Sequence, residues 1–291
     1  MKERLDLLLV IKNLAGSREK AKAIIKSGNV YVNGKMVDKA SSMFEEDVNI
    51  EIKDNPLKYV SRGGLKLEKA LDSFNINLEG KTCMDVGAST GGFTDCMLQR
   101  GAKKVYSVDV GSDQLDSKLR EDNRVISMEK TNIRYLTPEQ INDEIEFISV
   151  DVSFISLTKV LEPIRNLLID GGELVALIKP QFEAGPENLG KRGVVKDKKA
   201  HIKTINNVSM FAHGIGFKCK GLDYSPIKGP EGNIEYLIYL EKEKNDNISD
   251  ANIGYSAKGN NDNISYDEIG IPVRKIEKVV EEAHKSLKQQ Q

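Results

Sequence analysis

The chain has no tryptophan, only three cysteines and three histidines, and no long apolar run. Cys83, Cys96 and Cys219 lie far apart and form no C-x-x-C pair, which argues against a disulfide framework or a zinc site. His201, His213 and His284 are as scattered, so no His/Asp/Ser grouping points to a hydrolase. The first residues, Met-Lys-Glu-Arg-Leu-Asp, lack the apolar core of a signal peptide. No segment approaches the ~20 apolar residues needed to cross a bilayer. A soluble, cytoplasmic protein that needs neither membrane nor metal is expected. A net charge of −1 excludes a polycation but leaves room for local basic patches. A length of 291 residues allows one large or two smaller domains.

The most informative stretch is Met84-Asp85-Val86-Gly87-Ala88-Ser89-Thr90-Gly91-Gly92-Phe93-Thr94-Asp95. A strand ends in an acid and runs into a loop of small residues, where backbone N–H groups can approach a ligand closely. Such a loop after the first strand of an alternating α/β pattern is where doubly wound folds bind nucleotide-like ligands. The spacing is not the dinucleotide G-x-G-x-x-G. Asp-x-Gly-x-x-x-Gly-Gly instead resembles the first motif of S-adenosylmethionine-dependent methyltransferases.

Residues 1–53 read as a compact unit. Leu5, Leu8, Leu9 and Ile11 form one helical stripe, and Ser17 can cap a second helix, Arg18 to about Ser27, ended by Gly28. Asn33-Gly34 between Val30–Val32 and Met36-Val37 is a strong hairpin signal, and Val48 to Ile52 reads as a closing strand. Up to residue 40 there are nine basic and four acidic residues, with Arg18, Lys22 and Lys26 on one helix face. The arrangement of helix, Ser-Arg-x-x-Ala-x-x-x-Ile, Gly, Val-x-Val-Asn-Gly and strand resembles the S-four (alpha-L) RNA-binding domain. That resemblance makes Arg4, Arg18, Lys20, Lys22 and Lys26 expected RNA contacts, with Arg62 beyond the joint as another.

Residues 54–60 are the expected linker, and 61–291 the second domain. Its strands are Cys83–Val86, Val105–Asp109, Val125–Met128, Ile145–Asp151, Leu174–Lys179, Phe217–Tyr224 and Glu235–Leu240. Its helices are Phe93–Arg100, Leu157–Leu168 (broken by Asp170-Gly171-Gly172) and 197–215. This alternation predicts an α/β fold, a Rossmann-like sheet with helices on both faces. The last two strands form an expected antiparallel pair at the sheet edge. Residues 241–271 hold a short duplication, Asn-Asp-Asn-Ile-Ser at 245 and again at 261, and read as a flexible spacer. An amphipathic helix, 272–289, follows, with Ile276, Val279, Val280, Ala283 and Leu287 on one side.

Asp85, Asp109 and Asp151 all end strands, so a parallel sheet gathers them at one crevice. Asp109 comes about 22 residues after Gly87, where an acid takes ribose hydroxyls. Asp85 is expected to fix the amino-acid part of the donor or the loop, and Asn132 to reach an adenine edge. With Gly87, Ser89, Gly91, Gly92 and Phe93 they form the expected cofactor site.

The second domain resembles FtsJ-like RNA ribose 2′-O-methyltransferases, and the whole chain resembles the TlyA family, in which an S-four domain precedes that fold. The resemblance implies a catalytic tetrad: Lys66 in Ser-Arg-Gly-Gly-Leu-Lys-Leu, Asp151 in Val-Asp-Val-Ser-Phe-Ile-Ser, Lys179 in Leu-Ile-Lys-Pro-Gln-Phe and Glu235 in Gly-Asn-Ile-Glu-Tyr-Leu. It implies S-adenosylmethionine as cofactor, ribosomal RNA or ribosomal subunits as partner and cytidine as target; the oligomeric state is open, with a monomer favoured. Lys179 has two conceivable roles: it orients the ribose hydroxyl as a cation, or takes its proton as an amine. Two rivals are a non-catalytic RNA- or ribosome-binding factor and a membrane-active haemolysin, a label attached to this family.

Overall fold

A computed structural model describes residues 2–26, 28–52, 58–190, 192–229, 231–244 and 270–290. Most of the expected spacer and of the expected linker lies outside these residues, as do the side chains of Lys20 and Ala23. The chain divides into two compact units, Met1–Arg62 and Gly63–Gln291.

The first unit carries β1 (Lys2–Arg4), α1 (Leu5–Ile11), α2 (Arg18–Lys26), β2 (Val30–Val32), β3 (Lys35–Met36), β4 (Met43–Glu45) and β5 (Ile50–Ile52). Leu5, Leu9, Ala21, Ile25, Val30 and Val32 form its core. Ile11, expected on the inner stripe, is exposed at the last position of α1, while Leu5, Leu8 and Leu9 are buried. The hairpin forms as expected: Asn33 (φ 50°) and Gly34 (φ 77°) both take the left-handed conformation of a type I′ turn. β2 pairs with β3 and β5, while β1 pairs with β4 in a separate ribbon.

The second unit runs α3 (Gly64–Phe74), β6 (Thr82–Val86), α4 (Gly92–Gln99), β7 (Lys104–Val108), α5 (Ser117–Arg120), β8 (Val125–Met128), β9 (Ile145–Val150), α6 (Leu161–Leu167), β10 (Leu168–Ile178), α7 (Pro180–Glu183), α8 (Lys198–Gly214), β11 (Phe217–Tyr224), β12 (Tyr236–Lys242) and α9 (Val273–Ser286). The sheet order is β11-β12-β10-β9-β6-β7-β8. The five strands from β10 to β8 are parallel; β12 runs antiparallel to β10 and to β11. Apolar runs on both faces, such as Phe147, Ile148 and Val150 or Leu174 to Ile178, are what a sheet covered on both sides requires.

Two expectations are corrected. The helix expected from Leu157 starts at Leu161, after a 3-10 turn at Leu157–Lys159 whose N-cap is Ser156. Asp170-Gly171-Gly172 lies inside β10 as an irregularity, where pairing with β9 jumps from Leu168↔Ile145 to Glu173↔Phe147; Gly171 (φ 75°) supplies the bend. The terminal helix α9 packs Ile276, Val279, Val280 and Ala283 into the main core, and Leu287 follows them.

The chain reverses its direction across the sheet between β6 and β9: β7 and β8 extend one way, β10 the other. That crevice, at the carboxyl ends of the strands, is where such sheets bind ligands.

Candidate active site

The glycine loop leaves β6 at this switch point. Gly87 (φ 86°) and Gly91 (φ 92°) need left-handed backbone, and Ser89 (φ 49°) adopts it too. The Gly87 and Ala88 N–H groups donate to the Val108 carbonyl at 2.8 and 3.2 Å, fastening the loop to β7. Asp109, just beyond β7, accepts from Ser89 N at 2.8 Å and from Gly111 N at 2.7 Å, one on each carboxylate oxygen. Each oxygen has a second lone pair, so this half-buried acid can still receive the two hydroxyls of a ribose. Val110, next along, is exposed and offers an apolar face beside it. An acid, an apolar face and a glycine loop in one crevice fit the adenosine and methionine parts of S-adenosylmethionine.

Four expected cofactor residues are engaged within the fold itself. Asp85 is fully buried beneath the loop, where it accepts from Thr94 N (2.9 Å), Thr94 Oγ1 (2.8 Å) and Ser149 Oγ (3.2 Å). Burial pushes its pKa up to about 7, despite the Thr94 hydrogen bonds. It holds the loop to the start of α4 and does not face the crevice. Phe93 is buried in α4, as is Gly92. Asn132 uses its Oδ1 to cap the 3-10 turn Ile133–Tyr135, accepting from Arg134 N at 3.1 Å.

On the other side of the switch point, four charged side chains from four elements meet. Lys66 in α3 stands 2.6 Å from Glu235 and 3.7 Å from Asp151. Lys179, at the end of β10, stands 2.5 Å from Asp151 and donates to Ser153 Oγ at 2.9 Å. Lys66, Lys179 and Glu235 are 7%, 8% and 1% exposed. Burial disfavours the charge on Lys66, but Asp151 and Glu235 outweigh it and hold the amine above the ordinary lysine value. Burial likewise pushes Asp151 up, and Lys66 and Lys179 outweigh that, holding it below the ordinary carboxylate value. Glu235 is raised, because burial and the nearby Asp151 charge exceed what Lys66 offsets. The result is a charge-balanced chain, Glu235–Lys66–Asp151–Lys179, with Lys179 at its end.

The sequence reading missed the loop after β9. Phe154 has a left-handed backbone (φ 63°) that a bulky residue rarely adopts, and its side chain is 90% exposed. Its ring lies 5.1 Å from that of Phe182 in α7, which Lys179 Nζ approaches to 6.0 Å. Glu183 fixes this loop to α7 by accepting from Ser156 Oγ at 2.6 Å and Leu157 N at 2.7 Å. The signal available was an aromatic two residues beyond Val152, directly after a strand-end Asp-Val-Ser.

In the first unit, Arg4 and Arg18 converge on buried Asp6, at 2.9 and 3.2 Å. The Arg4 hydrogen bond above all holds Asp6 down to about 2, against burial. These two arginines therefore knit β1, α1 and α2 together while remaining about half exposed. Lys22 and Lys26 are exposed on α2, and Arg62 is half-buried at the end of the unit.

The seven-stranded sheet, its switch-point loop and the buried tetrad define a Rossmann-like methyltransferase preceded by a small separate unit. Residues 59–242 match the FtsJ-like methyltransferase family and residues 3–50 the S4 domain. YqxC of Bacillus subtilis, named as a candidate rRNA methyltransferase, is 48% identical over 99% of this chain and 96% of its own length. The 16S/23S rRNA (cytidine-2′-O)-methyltransferase TlyA of Mycobacterium tuberculosis is 39% identical over 84% of this chain and 92% of its own. A solved structure of a Streptococcus thermophilus protein that carries a hemolysin name is 45% identical, with a TM-score of 0.73 over 99% of this chain and 98% of that one. The chain belongs to the TlyA family, an S4 domain joined to an FtsJ-like methyltransferase.

Proposed function

We propose that the chain methylates a ribose 2′-hydroxyl of ribosomal RNA, at cytidine, using S-adenosylmethionine, with Lys66, Asp151, Lys179 and Glu235 as catalytic residues. The observation that carries the reading is Lys179: a buried amine held by Asp151 at 2.5 Å and Ser153 at 2.9 Å, across the switch point from a glycine loop. S-adenosylmethionine supplies a methyl group on a sulfonium sulfur. Gly87, Ser89 and Asp109 would hold it. The protein's task is to aim the hydroxyl oxygen in line and steady the charge on it.

A lysine ammonium has three donors. Asp151 and Ser153 take two, and the third is left for the ribose oxygen. The ion pair with Asp151 at 2.5 Å is the contact of a cation, so we assign Lys179 to orienting and stabilising the oxygen. The hydroxyl proton leaves to water as the new O–C bond makes that oxygen acidic. Asp151, itself held between two lysines, keeps Lys179 in place, and the Lys66–Glu235 pair keeps Asp151 in place. Phe154 presents an exposed ring on which an extruded base can stack. The first unit grips RNA through Lys22, Lys26 and the outer faces of Arg4 and Arg18; Lys20 and Arg62 are assigned with them. The protein is assigned to the cytoplasm and to a monomer.

Purified protein with labelled S-adenosylmethionine should methylate ribosomal subunits or ribosomal RNA at a ribose. Lys179→Ala should abolish transfer while the fold and cofactor affinity persist, and Lys179→Arg, which keeps the charge, should retain a fraction of it. Transfer by Lys179→Ala at the wild-type rate would sink the assignment. Wild-type protein that binds ribosomal RNA but transfers nothing would point to a binding factor.

A further inference from the structure

The tetrad needs Glu235 to stay on Lys66, and a turn just before β12 decides where that carboxylate can go. Gly229 is buried, and a Cβ placed on it would stand 2.7 Å from Glu235 Oε1 and 3.2 Å from its Cδ. Both are closer than ordinary van der Waals contact, and Glu235 is buried, 1% exposed and 2.6 Å from Lys66, so a shift of its carboxylate disturbs that ion pair. The φ of Gly229 is not left-handed, so the backbone itself does not ask for glycine here. What asks for it is the carboxylate.

The turn is fastened on every side. Gly229 N donates to Asn233 O at 2.9 Å, Gly232 N to Gly229 O at 2.9 Å, and Ser225 N to Glu235 O at 2.9 Å. Asn233, 2% exposed, accepts from Val195 N at 3.0 Å and donates to Gly193 O at 3.1 Å. His201 Nε2 lies 2.9 Å from the Val195 carbonyl, which can only accept, so Nε2 carries the proton and Nδ1 accepts from Tyr236 OH at 2.7 Å. Residues on both sides of Glu235 are therefore pinned to the 193–195 loop and to α8. These bonds oppose a shift of the backbone at Gly229.

We propose that Gly229 is a positioning residue of the catalytic tetrad: its missing side chain leaves the space in which the Glu235 carboxylate holds Lys66, and through Lys66 the Asp151–Lys179 pair. This rests on the tetrad reading above. A methyl group at 229 pushes the carboxylate off Lys66, and a carboxylate shortened by one methylene fits back underneath it.

The test compares Gly229→Ala, Glu235→Asp, their combination and Glu235→Ala in the full chain, measuring methyl transfer, cofactor affinity and melting temperature. Gly229→Ala should lower kcat about 100-fold, the scale of an ångström misplacement, with KM and cofactor affinity within about twofold. Glu235→Asp should impair the wild-type background and raise kcat in the Gly229→Ala background. That reversal is something a merely structural glycine would not give. Wild-type kcat in Gly229→Ala, or a loss that Glu235→Asp does not relieve, overturns the proposal. If Gly229→Ala melts too low to assay, the double variant is read against Glu235→Asp alone: faster transfer by the double variant is expected, and slower transfer overturns the proposal. Full activity in Glu235→Ala would refute the tetrad reading itself, a result separable from failure of the glycine alone.

Discussion

Gly87 and Asp151 are in backbone contact: a Cβ on Gly87 would stand 2.5 Å from the Asp151 carbonyl oxygen and 2.9 Å from its carbon. Asp151 N in turn donates to Val86 O at 2.9 Å. The glycine loop and the tetrad therefore share one piece of backbone, where β6 and β9 lie side by side. Gly87→Ala should damage both halves of the site. Left-handed backbone costs an alanine about 1–2 kcal/mol, and the clash displaces the residue that holds both lysines. The expected outcome is weaker cofactor binding by calorimetry together with a loss of transfer of about 100-fold. Near-normal transfer would show that the Asp151 backbone yields without consequence.

Removing Lys66 should be costly in a pH-dependent way. Lys66→Met leaves Glu235 buried beside Asp151 without its cation, a type of change that costs about 3–5 kcal/mol. Glu235 is already held above its ordinary value, and losing Lys66 raises it further. An acid with a raised folded pKa binds its proton more tightly when folded, so the folded state loses ground as pH rises above ~4.3. Urea denaturation should therefore find Lys66→Met nearest to wild type in acid and increasingly unstable towards neutrality. Adding Glu235→Gln should restore much of the difference. A destabilisation independent of pH would mean that packing, not charge, is what Lys66 provides.

These relationships separate what a sequence can carry from what it cannot. Strand-end acids and a glycine loop are legible because position along a strand sets which edge of the sheet a residue reaches. Where a strand stops is less legible. Asp85 lies inside β6, in register with Ser107 and Ser149 and so two residues short of Asp109 and Asp151, and it meets Thr94 and Ser149 beneath the loop, whereas Asp109 lies just beyond β7 at the crevice. The basic row on α2 is legible from spacing, but the capture of Arg4 and Arg18 by Asp6 is not, because it depends on how α1 meets α2. The tetrad was visible through resemblance to a family; nothing in the spacing of Lys66, Asp151, Lys179 and Glu235 brings them together. Gly229 and Phe154 were invisible for the same reason: one matters for the carboxylate above it, the other for a backbone angle.

Phe154 offers a trade of stability against function. An exposed ring on left-handed backbone contributes little to the core and strains the chain. Phe154→Gly should relieve that strain and leave the melting temperature equal or higher, while removing the stacking surface. Stacking of a base on an aromatic ring is worth about 1–3 kcal/mol, so transfer to ribosomal RNA should fall roughly 10-fold or more, with cofactor affinity unchanged. Phe154→Trp should preserve transfer. If Phe154→Gly transfers as well as wild type, the ring plays no part in holding the base.

Acid should loosen the terminal helix before it unfolds the sheet. His284 on α9 places Nε2 3.3 Å from His201 Nδ1, which already receives the Tyr236 hydroxyl. Burial, then the positive charge that His201, Lys198 and Lys288 would set beside it, lower His284 to about 4, with Glu281 opposing. The folded value lies below the ordinary histidine value, so the unfolded or undocked chain binds more protons between the two. Docking is then fully supported above ~6.5 and is lost progressively as pH falls towards the folded value. Hydrogen exchange of α9, corrected for the intrinsic rate, should speed up over that range while β6 and β9 stay protected. His284→Gln, which keeps a donor but cannot charge, should flatten the response. Exchange in α9 that tracks the sheet at every pH would show that the helix and the methyltransferase core open as one unit.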